Sequence, residues 1–162
     1  MKTRGLILAF FFMLSAMAGS AQAVQITVKP LTDDDIKLIR QDVQSIKDDV
    51  IRDTMQFNDT EATAFWPVYK EYAAGQHAIA EKRFGIIMDY AKSIDTMTDA
   101  NASDLTERML QIEDDTQALR KKYFPKFVTA IGAKRAAKFY QVDNRLSLII
   151  NVQLASEVPL IP

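Results

Sequence analysis

The sequence predicts an all-α fold, a four-helix antiparallel hairpin or bundle with long, kinked helices. Three observations point there. Glycine and proline are scarce, five of each, while Ala, Leu, Ile, Lys, Gln, Glu and Asp abound, which argues against a many-turned sandwich or barrel. Apolar residues recur at alternating spacings of three and four, the signature of a helix with one buried face. Side chains suited to capping stand just ahead of these runs, where helices begin.

The first residues read as an export signal. Lys2 and Arg4 precede an apolar run from Leu6 to Met17, which small residues close at Gly19-Ser20 and Ala21-Gln22-Ala23. That is the basic, apolar and small-residue order of a cleaved leader, with the cut expected after Ala23. The run falls short of the roughly 20 residues that span a bilayer, so no stable membrane span is expected after cleavage. The expected mature chain, 24–162, is one helical domain. It contains no Cys, so packing alone must hold an exported protein together.

Each helix has its own signal. Thr32, with Asp35 three positions on, predicts the start of a first helix, and Ile36, Ile39, Val43, Ile46 and Val50 lay an apolar stripe along it to about Met55. Asp42, Lys47, Asp48 and Arg52 fall off that stripe, toward solvent. Asn58 and Glu61 form a second capping box, with Phe57 placed to staple it. The helix that follows carries Phe65, Tyr69, Tyr72, Ile79, Ile86, Tyr90 and Ile94 near one face to about Asp95. Pro67 should kink it or mark its true beginning, and Gly75 and Gly85 weaken it. Thr98, Asp99 and Ser103 offer caps for a third helix bearing Leu105, Met109, Ile112, Leu119 and Tyr123, whose spacing suggests a hairpin with the second. A kink or short break is expected between Phe124 and Gly132 because of Pro125. A fourth helix follows from Ala133 to about Ala155. From Leu146 onward it is apolar on nearly all sides, so its own bundle, a second copy or a client must cover it.

The net charge of −1 conceals a division. Val24 to Ala118 holds 19 acidic and 10 basic residues, whereas Leu119 to Pro162 holds 8 basic and 2 acidic. The halves could pair with each other across a bundle, or the basic half could be a working surface. Nucleic acid is not an expected partner, because a mainly acidic first half repels phosphate. Catalytic patterns are absent. His77 is the sole histidine and has no companion at a zinc-site spacing. Asp48-Asp49 and Asp114-Asp115 are adjacent pairs, which diverge by about 100 degrees on a helix and read as solvated faces. There is no nucleophile elbow, phosphate loop or HExxH. The reading is therefore a protein without cofactor or metal, and not an enzyme.

Leu31-Thr32-Asp33-Asp34-Asp35 before the first helix and Leu105-Thr106-Glu107-Arg108-Met109 in the third keep the Leu-Thr half of an LTxxQ motif and lack its Gln. With the leader, the Phe65-Trp66-Pro67-Val68-Tyr69 opening, Lys121-Lys122-Tyr123-Phe124 and Ala133-Lys134-Arg135-Ala136-Ala137-Lys138-Phe139-Tyr140-Gln141, most of the mature chain resembles the periplasmic helical-hairpin proteins of the Spy and CpxP type, in a divergent branch. The resemblance implies a periplasmic, cradle-shaped homodimer that holds unfolded or stressed envelope proteins without ATP on a basic and apolar surface. Some relatives bind zinc or restrain a sensor kinase, but the lone His and missing Cys speak against zinc here. The residues that would form the client surface are Arg120, Lys121, Lys122, Lys126, Lys134, Arg135 and Lys138, with Phe124, Phe127, Phe139 and Tyr140 as rings among them. Charge would speed encounter and apolar area would retain the client. Each ring could equally be core, and each base simply solvated. Two other roles stay open: an accessory to the periplasmic domain of a sensor kinase, and a structural bundle made permanent by its apolar tail.

Overall fold

Side-chain caps on the second and third long helices and an apolar face on each build an architecture of four α-helices without strands among the described residues. The computed structural model describes residues 33–161. The expected leader at 1–23, the extended lead and the Thr32 cap lie outside the described residues, as do the side chains of Ile36, Ile39 and Val43.

Helix α1 spans Asp33–Met55. Its buried stripe is turned by one residue from the expected one. Lys47, Ile51 and Met55 are buried, four positions apart, whereas Ile46 is 60% exposed. The cause is tertiary: the Lys47 ammonium meets the buried carboxylate of Asp143 at 2.7 Å, and that contact sets the helix's rotation. Asp48 is likewise drawn inward, accepting from the Tyr69 hydroxyl at 2.8 Å.

Helix α2, Asp59–Ser93, starts with the expected capping box. Asn58 Oδ1 accepts from the Glu61 amide at 2.9 Å, and the Glu61 carboxylate accepts from the Asn58 amide at 3.1 Å. Phe57 packs one turn deeper than a staple would, its ring 4.4 Å from that of Phe65. The helix does not begin at Pro67 but runs through it. The ring lies on the exposed side, where the carbonyl left without a helical partner can meet water. Gly75 has a positive role, since a Cβ there would come within 2.6 Å of the Leu119 side chain. Its bareness lets α3 approach.

A short 3-10 turn, Ile94–Thr96, leads to α3, Asp99–Ile131, capped by Thr98 through the Asn101 amide at 3.2 Å. No break occurs at Pro125, which is also exposed. The chain reverses only at Gly132, whose φ of +77 suits a residue without a side chain. Helix α4 follows as Ala133–Glu157.

Helices α2 and α3 form a close hairpin, α4 returns along α3, and α1 lies on α4. One aromatic cluster joins the layers. Phe65 is fully buried, with Tyr69, Phe127 and Phe139 centred 5.5, 5.4 and 5.0 Å from it. Ile51, Met55, Tyr72, Tyr123, Ile131 and Ala136 complete this buried cluster. The apolar end of α4 is not covered by the single chain: Leu148, Ile149 and Val152 are 54, 64 and 70% exposed. No described helix is long and apolar enough to cross a membrane.

Candidate binding surface

The eleven residues proposed for the client surface separate into three groups. Phe127 and Phe139 are core, each 3% exposed, with rings 4.6 Å apart. They cannot greet a partner on the surface, because they occupy the inward faces of α3 and α4 beneath Phe65.

Arg135, Lys138 and Lys126 are committed to structure. The Arg135 guanidinium donates to the Met55 carbonyl at 2.7 Å, lies 2.8 Å from the Glu61 carboxylate and covers the Phe57 ring at 5.2 Å. Lys138 donates to the Thr54 carbonyl at 2.6 Å. Both thus supply cations to the C-terminal end of α1, where unpaired carbonyls and the helix dipole favour them. Lys126 reaches Glu71 on α2 at 3.1 Å and lies over the Tyr123 ring at 4.6 Å.

Lys121, Lys122 and Lys134 are exposed, and Phe124 and Tyr140 are each 40% exposed with rings 6.4 Å apart, edge to face. The half-buried Arg120 guanidinium sits 5.8 Å from the Tyr140 ring, and its Nε finds no hydrogen-bond partner. Arg120, Phe124 and Tyr140 border a cavity of about 10 Å³ that has Asp143 and Tyr72 in its wall. That volume holds no more than a water molecule. What α3 and α4 present outward is therefore a smaller patch than expected: two rings with Lys121, Lys122 and Arg120 on the same stretch of α3.

Beneath the patch lies a polar centre that sequence reasoning missed. Asp143, 1% exposed, receives Lys47 at 2.7 Å, the Tyr72 hydroxyl at 2.8 Å and the Gln76 amide at 3.2 Å. Lys47 also donates to the Gln76 carbonyl at 2.6 Å. Every polar arm is paired, as burial demands. Burial, and then the Asp143 carboxylate, holds the Tyr72 hydroxyl far above its ordinary pKa, with Arg120 opposing. Tyr69 is raised in the same direction, by burial first and then by Asp48. One signal for this centre was present in the sequence: Asp143 is one of only two acids after Leu119.

None of the seven candidate cations pairs with Asp48, Asp49, Asp114 or Asp115. Lys82 of α2 takes Asp115 at 2.8 Å. His77 is exposed beside Glu81 at 3.7 Å, and no group of three metal-ligating side chains occurs among the described residues. No family model, curated protein or solved structure matches the chain.

Proposed function

We propose that the protein is an ATP-independent holding protein of the periplasm, which binds unfolding or stressed envelope proteins through basic, aromatic and aliphatic surface. One observation carries the reading: the chain leaves outward a set of groups that a self-sufficient bundle would cover. Phe124 and Tyr140 stand beside Arg120, Lys121 and Lys122, and further along α4 the aliphatic face of Leu148, Ile149 and Val152 is open. Exposed apolar area of this kind marks interaction sites, while neighbouring cations steer acidic chains toward it. The basic leader followed by Ala21-Gln22-Ala23 supports export.

The test is aggregation suppression. A small disulfide-bonded client is unfolded with dithiothreitol, a reductant that leaves this cysteine-free chain unchanged. A few-fold molar excess of the protein should lower light scattering without nucleotide, and Phe124→Ala with Tyr140→Ala should weaken the effect several-fold. Scattering that is indifferent to the protein would end this reading.

The open α4 face also supports a second reading, a homodimer or a lasting complex with another envelope protein, such as the periplasmic domain of a sensor kinase. Light scattering that returns the mass of one chain at micromolar concentration would exclude the dimer.

A further inference from the structure

Helix α1 lies over the aromatic core as a separable layer. Among the described residues its backbone comes close to α4 alone. One buried stripe, one end and an edge against Tyr69 and Trp66 of α2 hold it. Lys47 enters the polar centre at Asp143 and Gln76. Ile51 and Met55, four and eight positions on, join the buried cluster of Phe65, Tyr69 and Phe139. At the end of the helix, Lys138 and Arg135 take the carbonyls of Thr54 and Met55.

Taken without α1, the faces of α2 and α4 form a groove with a carboxylate at one end, rings along its floor and two cations at the other. This is the arrangement by which proteins seat an amphipathic helix. Three further contacts are α1's own, Gln44 and Asp48 with the Tyr69 hydroxyl at 3.1 and 2.8 Å and Arg52 over the Trp66 ring at 4.1 Å; the cation, the two aliphatic residues and the free carbonyls are what another helix with those spacings reproduces. Two of the cations and one of the rings read from the sequence as client-binding are thus engaged by a segment of the chain itself. The outer side of α1 bears the exposed Ile46, Asp49 and Asp53, so no further layer locks it down. Its link to α2 is three residues, 56–58, of which Gln56 adopts the left-handed φ of 45 that a side chain disfavours.

We propose that α1 is the displaceable resident of the client groove, and that it gives way to amphipathic helices of unfolding proteins carrying a cation followed at the fourth and eighth positions by aliphatic side chains. This rests on the holding function proposed above and names its ligand. A resident on so short a tether competes at an effective concentration in the millimolar range. The open groove is therefore a minor state, and loosening α1 raises apparent affinity for any competitor. That sign separates a resident from an ordinary core helix, whose weakening would only impair binding.

The probe is a fluorescein-labelled peptide of residues 33–57, titrated into the purified protein and read by anisotropy. Ile51→Ala or Met55→Ala in the protein, which loosen α1 and leave the groove intact, should tighten binding about tenfold or more. The same peptide with Glu in place of Lys47 should bind at least about tenfold more weakly. In a Thr54→Cys, Lys138→Cys variant, which gives up one groove cation, a bis-maleimide as long as a lysine side chain should abolish the peptide binding that the same variant capped with N-ethylmaleimide still shows, more weakly than the unmodified protein. The cross-linked form should also lose aggregation suppression. If cross-linked protein suppresses aggregation as well as the capped form does, the groove is not the client site and this proposal fails, with the holding function intact. If the unmodified protein does not suppress aggregation, the holding function fails, and the peptide titration still decides the groove. Binding that weakens in the Ile51→Ala and Met55→Ala proteins would overturn the resident role.

Discussion

An ammonium group withdrawn from water loses several kcal/mol of hydration unless its surroundings replace it. Around Lys47 that replacement is an anion at 2.7 Å and an amide oxygen at 2.6 Å. Lys47→Met removes the cation and strands Asp143, so a loss of about 3–5 kcal/mol is expected in urea unfolding. Adding Asp143→Leu should recover most of it, because two apolar side chains need no solvation. A double variant as unstable as the single one would show that the pair is not the cause. The tyrosines above and beside this centre give a pH dependence. Both Tyr69 and Tyr72 are raised above the ordinary value of 10.0, so the fold favours their protonated forms. Stability should stay level below about pH 10, where unfolded tyrosine also keeps its proton, and fall as pH rises further. Tyrosinate absorbance for these two should then grow only as helical ellipticity is lost. The centre was hard to read in advance for a physical reason. Periodicity ranks Ile46 above Lys47 as a core residue, and nothing local to α1 reveals a carboxylate on α4 that reverses the ranking.

Local chemistry governs where the helices start. Asn58 with Glu61 and the Thr98 cap act within three residues of themselves, which is why the sequence alone placed the first and narrowed the second to Thr98, Asp99 or Ser103. The prolines were harder. Pro67 and Pro125 forfeit a backbone bond, yet both lie on exposed faces of long helices anchored elsewhere, so expected interruptions did not become chain breaks. Gly132 made the break because its φ is one that other residues resist. Gly132→Ala should lower stability by about 1 kcal/mol. The two helical glycines of α2 should respond differently to alanine. At Gly85 a Cβ meets nothing within 4 Å, so Gly85→Ala should raise stability by about 0.8–1 kcal/mol. At Gly75 the Leu119 tip must move aside, and the gain should be reduced or reversed. Thermal unfolding of both variants checks this; equal gains would mean that the α2–α3 approach does not depend on a bare backbone.

Across the whole molecule, the division between an acidic first part and a basic last part reappears as structure. Arg135 serves Glu61 and Lys126 serves Glu71, which is the pairing of the two parts across the bundle, while Lys47 with Asp143 runs the other way. Some charges pair between the halves and others remain outside. The candidate surface was legible only coarsely because a ring at helical spacing carries no mark of which way it faces. Phe124 and Phe127 differ by three positions, and one is exposed while the other is buried. The α4 terminus is different, being apolar on so many sides that some of it had to stay uncovered in one chain. Replacing Leu148, Ile149 and Val152 together by Ser should change stability by less than about 0.5 kcal/mol per site while reducing capture of a hydrophobic dye; a large fall in the thermal midpoint would place these residues in a core. Trp66 of α2 adds a practical consequence. It is the sole tryptophan, and the Arg52 guanidinium of α1 lies 4.1 Å above its ring. When the layer lifts, that charge departs and water takes its place, so the indole's emission should shift to the red. The molecule carries its own optical gauge of whether its groove is shut, readable without a label.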